Sequence, residues 1–261
     1  AATRAVAVRE AATVMVGVPT HLLRLVRTIA PGEALPPVHS VLLSTDHVPQ
    51  AIVNAIEGAL GCTVYNHYGM TETGLGGGVD CEARRGYHLR EADLLYEVID
   101  PATGLPAAPD ALGEVVFSTL TREGMPLIRY RTGDFGRWIP GPCSCGTQLK
   151  TLAHITSRLS GPVDLGGGLW LTQPDLDEAL FAVDGVLNFV TEVARIEAGP
   201  RMSVAIQIAP TANPDTVRAE ALNALRALPP LTAAPRLSLD LQLSTEPVSP
   251  PTLAKRSIKL A

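Results

Sequence analysis

The chain is poor in aromatic residues, with two Trp, five Tyr and four Phe in 261 positions. So few rings cannot mark out an aromatic binding cage. Charge is sparse as well. Charged residues make up 18%, and Lys plus Arg (21) fall short of Asp plus Glu (26), for a net charge of −5. Duplex-binding proteins carry a basic surface, so nucleic acid is not an expected partner. No apolar run reaches the ~20 residues that span a bilayer, and no basic segment leads into an apolar stretch. Neither a membrane span nor a secretory leader is expected. The four cysteines, Cys62, Cys81, Cys143 and Cys145, are too few for a disulfide scaffold. In a reducing cytosol, the expected compartment, they read as core thiols or metal ligands. The sequence starts at Ala1 without an initiator Met and reads as a fragment or a processed chain.

What is present is apolar and loop-rich. Hydrophobic residues reach 46%, alongside 23 Gly and 22 Pro, enough for a sizeable core and too few turn residues for low complexity. Val14, Val16 and Val18 alternate as in a strand. Leu22, Leu25, Val26 and Ile29 have helical spacing, Val38–Leu43 reads as a buried strand, and 49–60 as an amphipathic helix that Gly61 stops. Thr63-Val64-Tyr65 is the next strand. This alternation predicts an α/β unit with a largely parallel sheet. After residue 85, short strands at Tyr96–Asp100, Gly113–Leu120 and Leu127–Tyr130 fit a β-barrel-like subdomain. From about 158, helices at 174–183 and 214–228 and strands at 188–197, 202–208 and 237–243 form an α+β module.

Two stretches carry candidate chemistry. Tyr65-Asn66-His67-Tyr68-Gly69-Met70-Thr71-Glu72-Thr73-Gly74 follows a strand in the α/β region, where ligands collect. It gathers an aromatic face, an amide, a hydroxyl and a carboxylate, or is an ordinary polar loop. In Arg131-Thr132-Gly133-Asp134, a carboxylate after a tight Thr-Gly turn can accept two ribose hydroxyls, although such a turn is common. A third constellation is Cys81, His88, Cys143 and Cys145. Three thiolates and an imidazole suit a closed tetrahedral, structural Zn²⁺ site; the alternative is free thiols in a turn. Cys62 reads as a core thiol, and His21, His39 and His154 as surface or satisfied core residues.

In order and separation, Tyr68–Glu72 and Thr121–Asp134, followed by Pro142-Cys143-Ser144-Cys145-Gly146, resemble the adenylate-forming acyl-CoA synthetase superfamily, in its phenylacetate–CoA ligase branch. The resemblance runs from about residue 11 to the C-terminus. It implies that residues 1–157 are the C-terminal part of a large AMP-binding domain with its β-subdomain, and that 158–261 are a small α+β lid. It further implies an enzyme that joins a small, possibly aromatic, carboxylic acid to ATP and passes the acyl group to CoA. Tyr68 would stack on adenine and Asn66 read its edge, within a binding segment that includes Gly69 and Met70. Thr71 would bond the α-phosphate, Glu72 hold Mg²⁺, Asp134 take the ribose hydroxyls and Arg158 contact ribose or phosphate. Thr71 and Glu72 would be the catalytic pair.

The sequence departs from that pattern in four places. It has no Ser/Thr/Gly-rich phosphate loop with a Lys. Leu159-Ser160-Gly161-Pro162 stands where a hinge acid pair is usual, Leu253 where an adenylating Lys is expected, and Ser44-Thr45-Asp46 where the family has Gly-Ala-Glu. A second expectation is therefore a non-catalytic or partner-dependent ligase-like module that binds nucleotide or CoA. A zinc-binding interaction domain is a third. With part of its sheet missing, the chain is expected to expose apolar surface and to aggregate or form a homodimer.

Overall fold

The computed structural model describes residues 2–30, 32–33, 35–159, 161–196, 199–234, 236–248 and 256–260. The first part alternates α1 (Ala2–Arg9), β1 (Val14–Gly17), α2 (Pro19–Arg27), β2 (Ser40–Leu43), α3 (Gln50–Leu60) and β3 (Thr63–Tyr68). β1, β2 and β3 pair in parallel, with Val16, Leu42 and Tyr65 in register. α2 starts on Pro19, which needs no N–H there, and buries Leu22, Leu25 and Val26 at helical spacing. α3 buries Ile52 and Ile56, and Gly61 ends it in the left-handed conformation at φ +62°. α1 is a helix where no helix was expected.

Next come β4 (Gly78–Asp80), β5 (Tyr87–Leu89), β6 (Leu94–Ile99), β7 (Gly113–Thr119), β8 (Tyr130–Gly136), β9 (Trp138–Ile139), β10 (Thr151–Leu152) and β11 (Ser157–Arg158). One sheet runs β1-β2-β3-β4-β5-β10-β9, parallel up to β3 and antiparallel after it. A second, antiparallel sheet runs β11-β8-β7-β6. Between them Tyr68, Tyr87, Leu89, Tyr96, Phe117 and Leu152 form a core.

The last part holds the hairpin β12 (Val163–Asp164) and β13 (Trp170–Leu171), α4 (Gln173–Phe181), β14 (Val186–Ile196), β15 (Gly199–Ile208), α5 (Pro214–Arg226), α6 (Pro229–Thr232), β16 (Ser238–Ser244) and β17 (Lys259–Leu260). Its sheet runs β16-β15-β14-β17. Thr172 and Asp175 cap α4 reciprocally, and the Asn213 side chain caps α5. The architecture is thus α/β joined to α+β. A single apolar cluster takes Leu25 and Val26 of α2 together with Phe181 and Val186. Polar ties cross the same seam: Arg27 donates to the Phe181 carbonyl at 2.8 Å, and the Gln50 and Ala51 amides donate to Glu178 at 2.7 and 3.1 Å.

Two local expectations change. The strand expected over Leu127–Tyr130 begins at Tyr130 and runs to Gly136. Thr132-Gly133 is consequently not a tight turn but a bulge inside β8. Gly133 has φ +71°, and the register against β7 shifts between Glu114 and Val116. Ser160 and Leu253 lie outside the described residues.

Candidate functional site

β3 extends three residues beyond Tyr65, so Asn66, His67 and Tyr68 project from a strand and not from the loop after it. Tyr68 is buried, and its hydroxyl donates to Asp134 Oδ2 at 3.0 Å. Arg158 of β11, which pairs in register with Asp134, donates to Asp134 Oδ1. The Asp134 amide in turn donates to Thr132 Oγ1 at 3.0 Å, so the bulge holds its own carboxylate in place. Only 1% of Asp134 is exposed. Burial first, then the Asp134 carboxylate, pushes the Tyr68 phenol far above its ordinary value. Burial works against the Arg158 charge, but the Asp134 hydrogen bond and charge outweigh it and hold the guanidinium above its usual value.

Around this trio lies an open cleft with a cavity volume of about 130 Å³. Asn66, His67, Tyr68, Gly69, Asp134 and Arg158 line it from one side, and Gln173 and Arg256 from the other. Tyr68 stacks on Tyr87, with centroids 5.5 Å apart, and Tyr87 meets the His154 ring edge-on at 4.9 Å. Thr45 also lines the cleft at φ +84°. A β-branched residue in that conformation stores strain of roughly 1–3 kcal/mol, as functional sites often do. His67 Nδ1 shares a 2.8 Å hydrogen bond with Ser44 Oγ, and burial lowers its pKa below 6.5.

Met70, Thr71 and Glu72 are not among the lining residues. Thr71–Thr73 is a single 3-10 turn; Thr71 is exposed, and the fully buried Thr73 ties its hydroxyl to Met70. Glu72 is half-buried and accepts a 3.1 Å hydrogen bond from the Tyr130 hydroxyl, which raises the Tyr130 pKa. The Gly76-Gly77-Gly78 run packs beneath the motif. A Cβ on Gly76, at φ +101°, would sit 2.2 Å from His67 Nε2.

The four residues read as metal ligands converge. The Sγ atoms of Cys81, Cys143 and Cys145 and a ring nitrogen of His88 all lie within 4.8 Å of one another. Cys81 and Cys143 Sγ are 3.6 Å apart, and Cys145 Sγ is 3.4 Å from His88 Nε2. The Cys145 backbone N–H, ahead of the neighbouring thiols, draws the Cys143 thiol down to about 6.

Sequence reasoning missed Asp80, Tyr87 and His154. The buried Asp80 accepts the Asn66 amide at 2.9 Å and lies 2.6 Å from His154 Nε2. His154 is 74 residues from Asp80, so no local signal could have paired them. Arg256 donates to the buried Asp177 and to the Phe189 carbonyl at 3.2 Å, and lies over the Phe181 and Phe189 rings.

Residues 2–121 match the AMP-binding enzyme family model. A phenylacetate-coenzyme A ligase of Thermus thermophilus is 33% identical over 175 residues, 66% of this chain and 38% of that protein. The Escherichia coli K12 phenylacetate-coenzyme A ligase is 40% identical over 117 residues, 44% of this chain and 25% of that protein. The chain therefore spans well under half the length of these curated relatives. Among solved structures, a 2-hydroxyisobutyryl-CoA ligase in its postadenylation state superposes with a TM-score of 0.80 at 20% identity, over 99% of this chain and 56% of that one. The anthranilate CoA ligase AuaEII gives 0.69 at 13% identity, over 95% and 49%.

Proposed function

We propose that the chain is a member of the adenylate-forming family, in its phenylacetate–CoA ligase-like branch, and the nucleotide-holding portion of an ATP-dependent aryl or acyl acid–CoA ligase, a reading supported by its likeness to the AMP-binding enzyme family and to phenylacetate-coenzyme A ligases. The supporting observation is the meeting of Tyr68, Asp134 and Arg158 from three separate segments at one cleft. In the proposed reaction a carboxylate oxygen attacks the α-phosphorus of ATP and pyrophosphate leaves. The CoA thiol then displaces AMP from the acyl-adenylate.

Each side chain has a part in this reading. Tyr68 offers a ring and Asn66 an amide to adenine. A carboxylate has about four acceptor sites. Asp134 can therefore take ribose hydroxyls while still holding Arg158, which faces ribose or phosphate. Thr71 donates to the α-phosphate. Mg²⁺, held by Glu72, would offset the charge that builds on the phosphates. Gly69 gives the backbone close approach beside the ring, since a Cβ there would crowd Gly76 and His67 at 3.1 Å. Residues 1–157 act as the remainder of the large domain and 158–261 as the lid, in a cytoplasmic setting. No helix among the described residues is long and apolar enough to cross a membrane.

One observation favours a second reading, a module that binds nucleotide or CoA but needs a partner to adenylate. Arg256 is the cation that the C-terminal segment presents to the cleft among the described residues, and it is committed to Asp177 and two rings. Calorimetric titration with AMP, followed by ATP–pyrophosphate exchange with phenylacetate, separates the two. Binding with exchange supports the ligase, binding without exchange supports the module, and absence of binding by the folded chain removes both.

The thiol–imidazole cluster is read as a structural Zn²⁺ site. Zn–S bonds near 2.3 Å and Zn–N bonds near 2.05 Å in a tetrahedron put sulfurs about 3.8 Å apart and S···N about 3.6 Å. The Cys81–Cys143 and Cys145–His88 separations, at 3.6 and 3.4 Å, fit that donor set.

A further inference from the structure

We propose that Zn²⁺ at Cys81, His88, Cys143 and Cys145 orders the Asn66–Tyr68 wall of the cleft from the opposite face of the same sheet, so that metal and nucleotide favour one another's binding. The nucleotide half of this statement rests on the reading above; the ordering half does not.

Strand alternation supplies the first link. His88 turns toward the cluster, while its neighbour Tyr87 points inward, 3% exposed, and stacks on Tyr68. Cys81 directly follows Asp80, whose carboxylate receives the Asn66 amide and His154. Thr151 is the cross-strand partner of His88, is buried, and places Oγ1 3.3 Å from His88 Nδ1. With Nδ1–H donating to that hydroxyl, Nε2 keeps its lone pair for the metal. Thr151 opens β10, and the chain from there carries His154 and then Ile155, Thr156, Ser157 and Arg158, which line the cleft. Three of the tether points, Asp80, Tyr87 and Thr151, are thus bonded to a ligand residue or adjacent to one in sequence. Cys143 and Cys145 come from the loop between β9 and β10, so the ion would pin that loop to β4 and β5. The strands that flank this segment are only two residues long each.

The test uses the whole chain stripped of metal with a chelator and then titrated with Zn²⁺. The expected results are one zinc per chain by mass spectrometry, slower hydrogen exchange at the Asn66 amide, and AMP affinity raised at least about fivefold. Zinc affinity should rise by the same factor in the presence of AMP, as linkage requires. Thr151→Val keeps all four ligands and should shift these effects to zinc concentrations about 10–100-fold higher. No zinc uptake overturns the proposal, and so does zinc uptake with unchanged Asn66 exchange. Equal AMP affinity with and without zinc removes the cooperative half. If AMP binds neither form, the nucleotide reading fails, while Asn66 exchange still decides whether the metal orders the wall.

Discussion

Replacing Asp134 with Asn removes one charge from a point where three groups converge. The Tyr68 hydroxyl and Arg158 both donate to this carboxylate, which is 1% exposed. Breaking a buried ion pair from one side costs about 3–5 kcal/mol. The Arg158 side chain, however, is 39% exposed and can turn to water. The amide oxygen can also keep one donor, so the expected destabilisation falls to about 2–3 kcal/mol. For a chain of this size that lowers Tm by about 4–12 °C. On the ligand side, one or two charge-assisted bonds to ribose hydroxyls become weaker neutral ones. AMP affinity should then fall about 10–100-fold. Thermal unfolding and calorimetric titration with AMP measure the two effects on the same sample. A folded Asp134→Asn chain that binds AMP within threefold of the original would refute the ribose assignment, whatever its Tm.

Glu72→Gln keeps an acceptor for Tyr130, so Tm should stay within ~1 °C, while the gain in ATP affinity on adding Mg²⁺ disappears; titrations with and without Mg²⁺ check this. Gly76→Ala places a methyl against His67 in a conformation that suits glycine and should cost about 2–3 kcal/mol in urea unfolding. The folded-state pKa of His67 lies below its unfolded value of 6.5, so the unfolded chain binds the extra proton. Its contribution to stability is present above 6.5 and is lost as pH falls from 6.5 to the folded value; His67→Gln should flatten that part of the stability–pH curve. β1 exposes Val14 at 58% and Val16 at 68%, so light scattering should show a homodimer or larger species, with Val16→Lys shifting it toward monomer; a clean monomer of the unaltered chain counts against self-association.

How far the sequence could be read depended on whether each signal was local. α3 was legible because Ile52 and Ile56 repeat at one helical turn and Gly61 has the freedom the helix end needs. The thiol cluster was legible because cysteine is rare here and its chemistry narrows the choices, even across 64 residues of chain. β8 was misread because Thr-Gly-Asp has turn propensity by itself. The bulge exists only through pairing with β7, whose Glu114 carboxylate accepts the Gly133 amide at 3.1 Å. α1 was not legible because Ala7 is its one buried residue among those described, so no buried apolar residues repeat at helical spacing along it. The Asp80–His154 contact joins two elements that only the sheet order β4-β5-β10 brings together, and periodicity along the chain does not encode it.

That contact and the Arg256–Asp177 pair show how differently two charged contacts can bear on one cleft. Asp80 and His154 brace a wall: they fix the Asn66 backbone and one end of an aromatic stack, and on the proposed reading they would act on where a base lies. Arg256 faces the same space from the other side. Even so, its guanidinium is held by a carboxylate that is 2% exposed, by a carbonyl and by two rings. Burial pushes the Asp177 pKa up, with Arg256 opposing it. Drawing the arginine away toward a phosphate would therefore strand a buried carboxylate without its counter-charge, at a cost of several kcal/mol. On the proposed reading, nucleotide binding would call on the braced wall and the Tyr68–Asp134–Arg158 trio and would leave Arg256 where it is. Adenylation also needs a cation free to follow charge as it moves onto the phosphates, and Arg256, as the structure holds it, is not free to do so. On that same reading, nucleotide binding and adenylation would draw on different side chains among the described residues, which is why the two must be assayed independently.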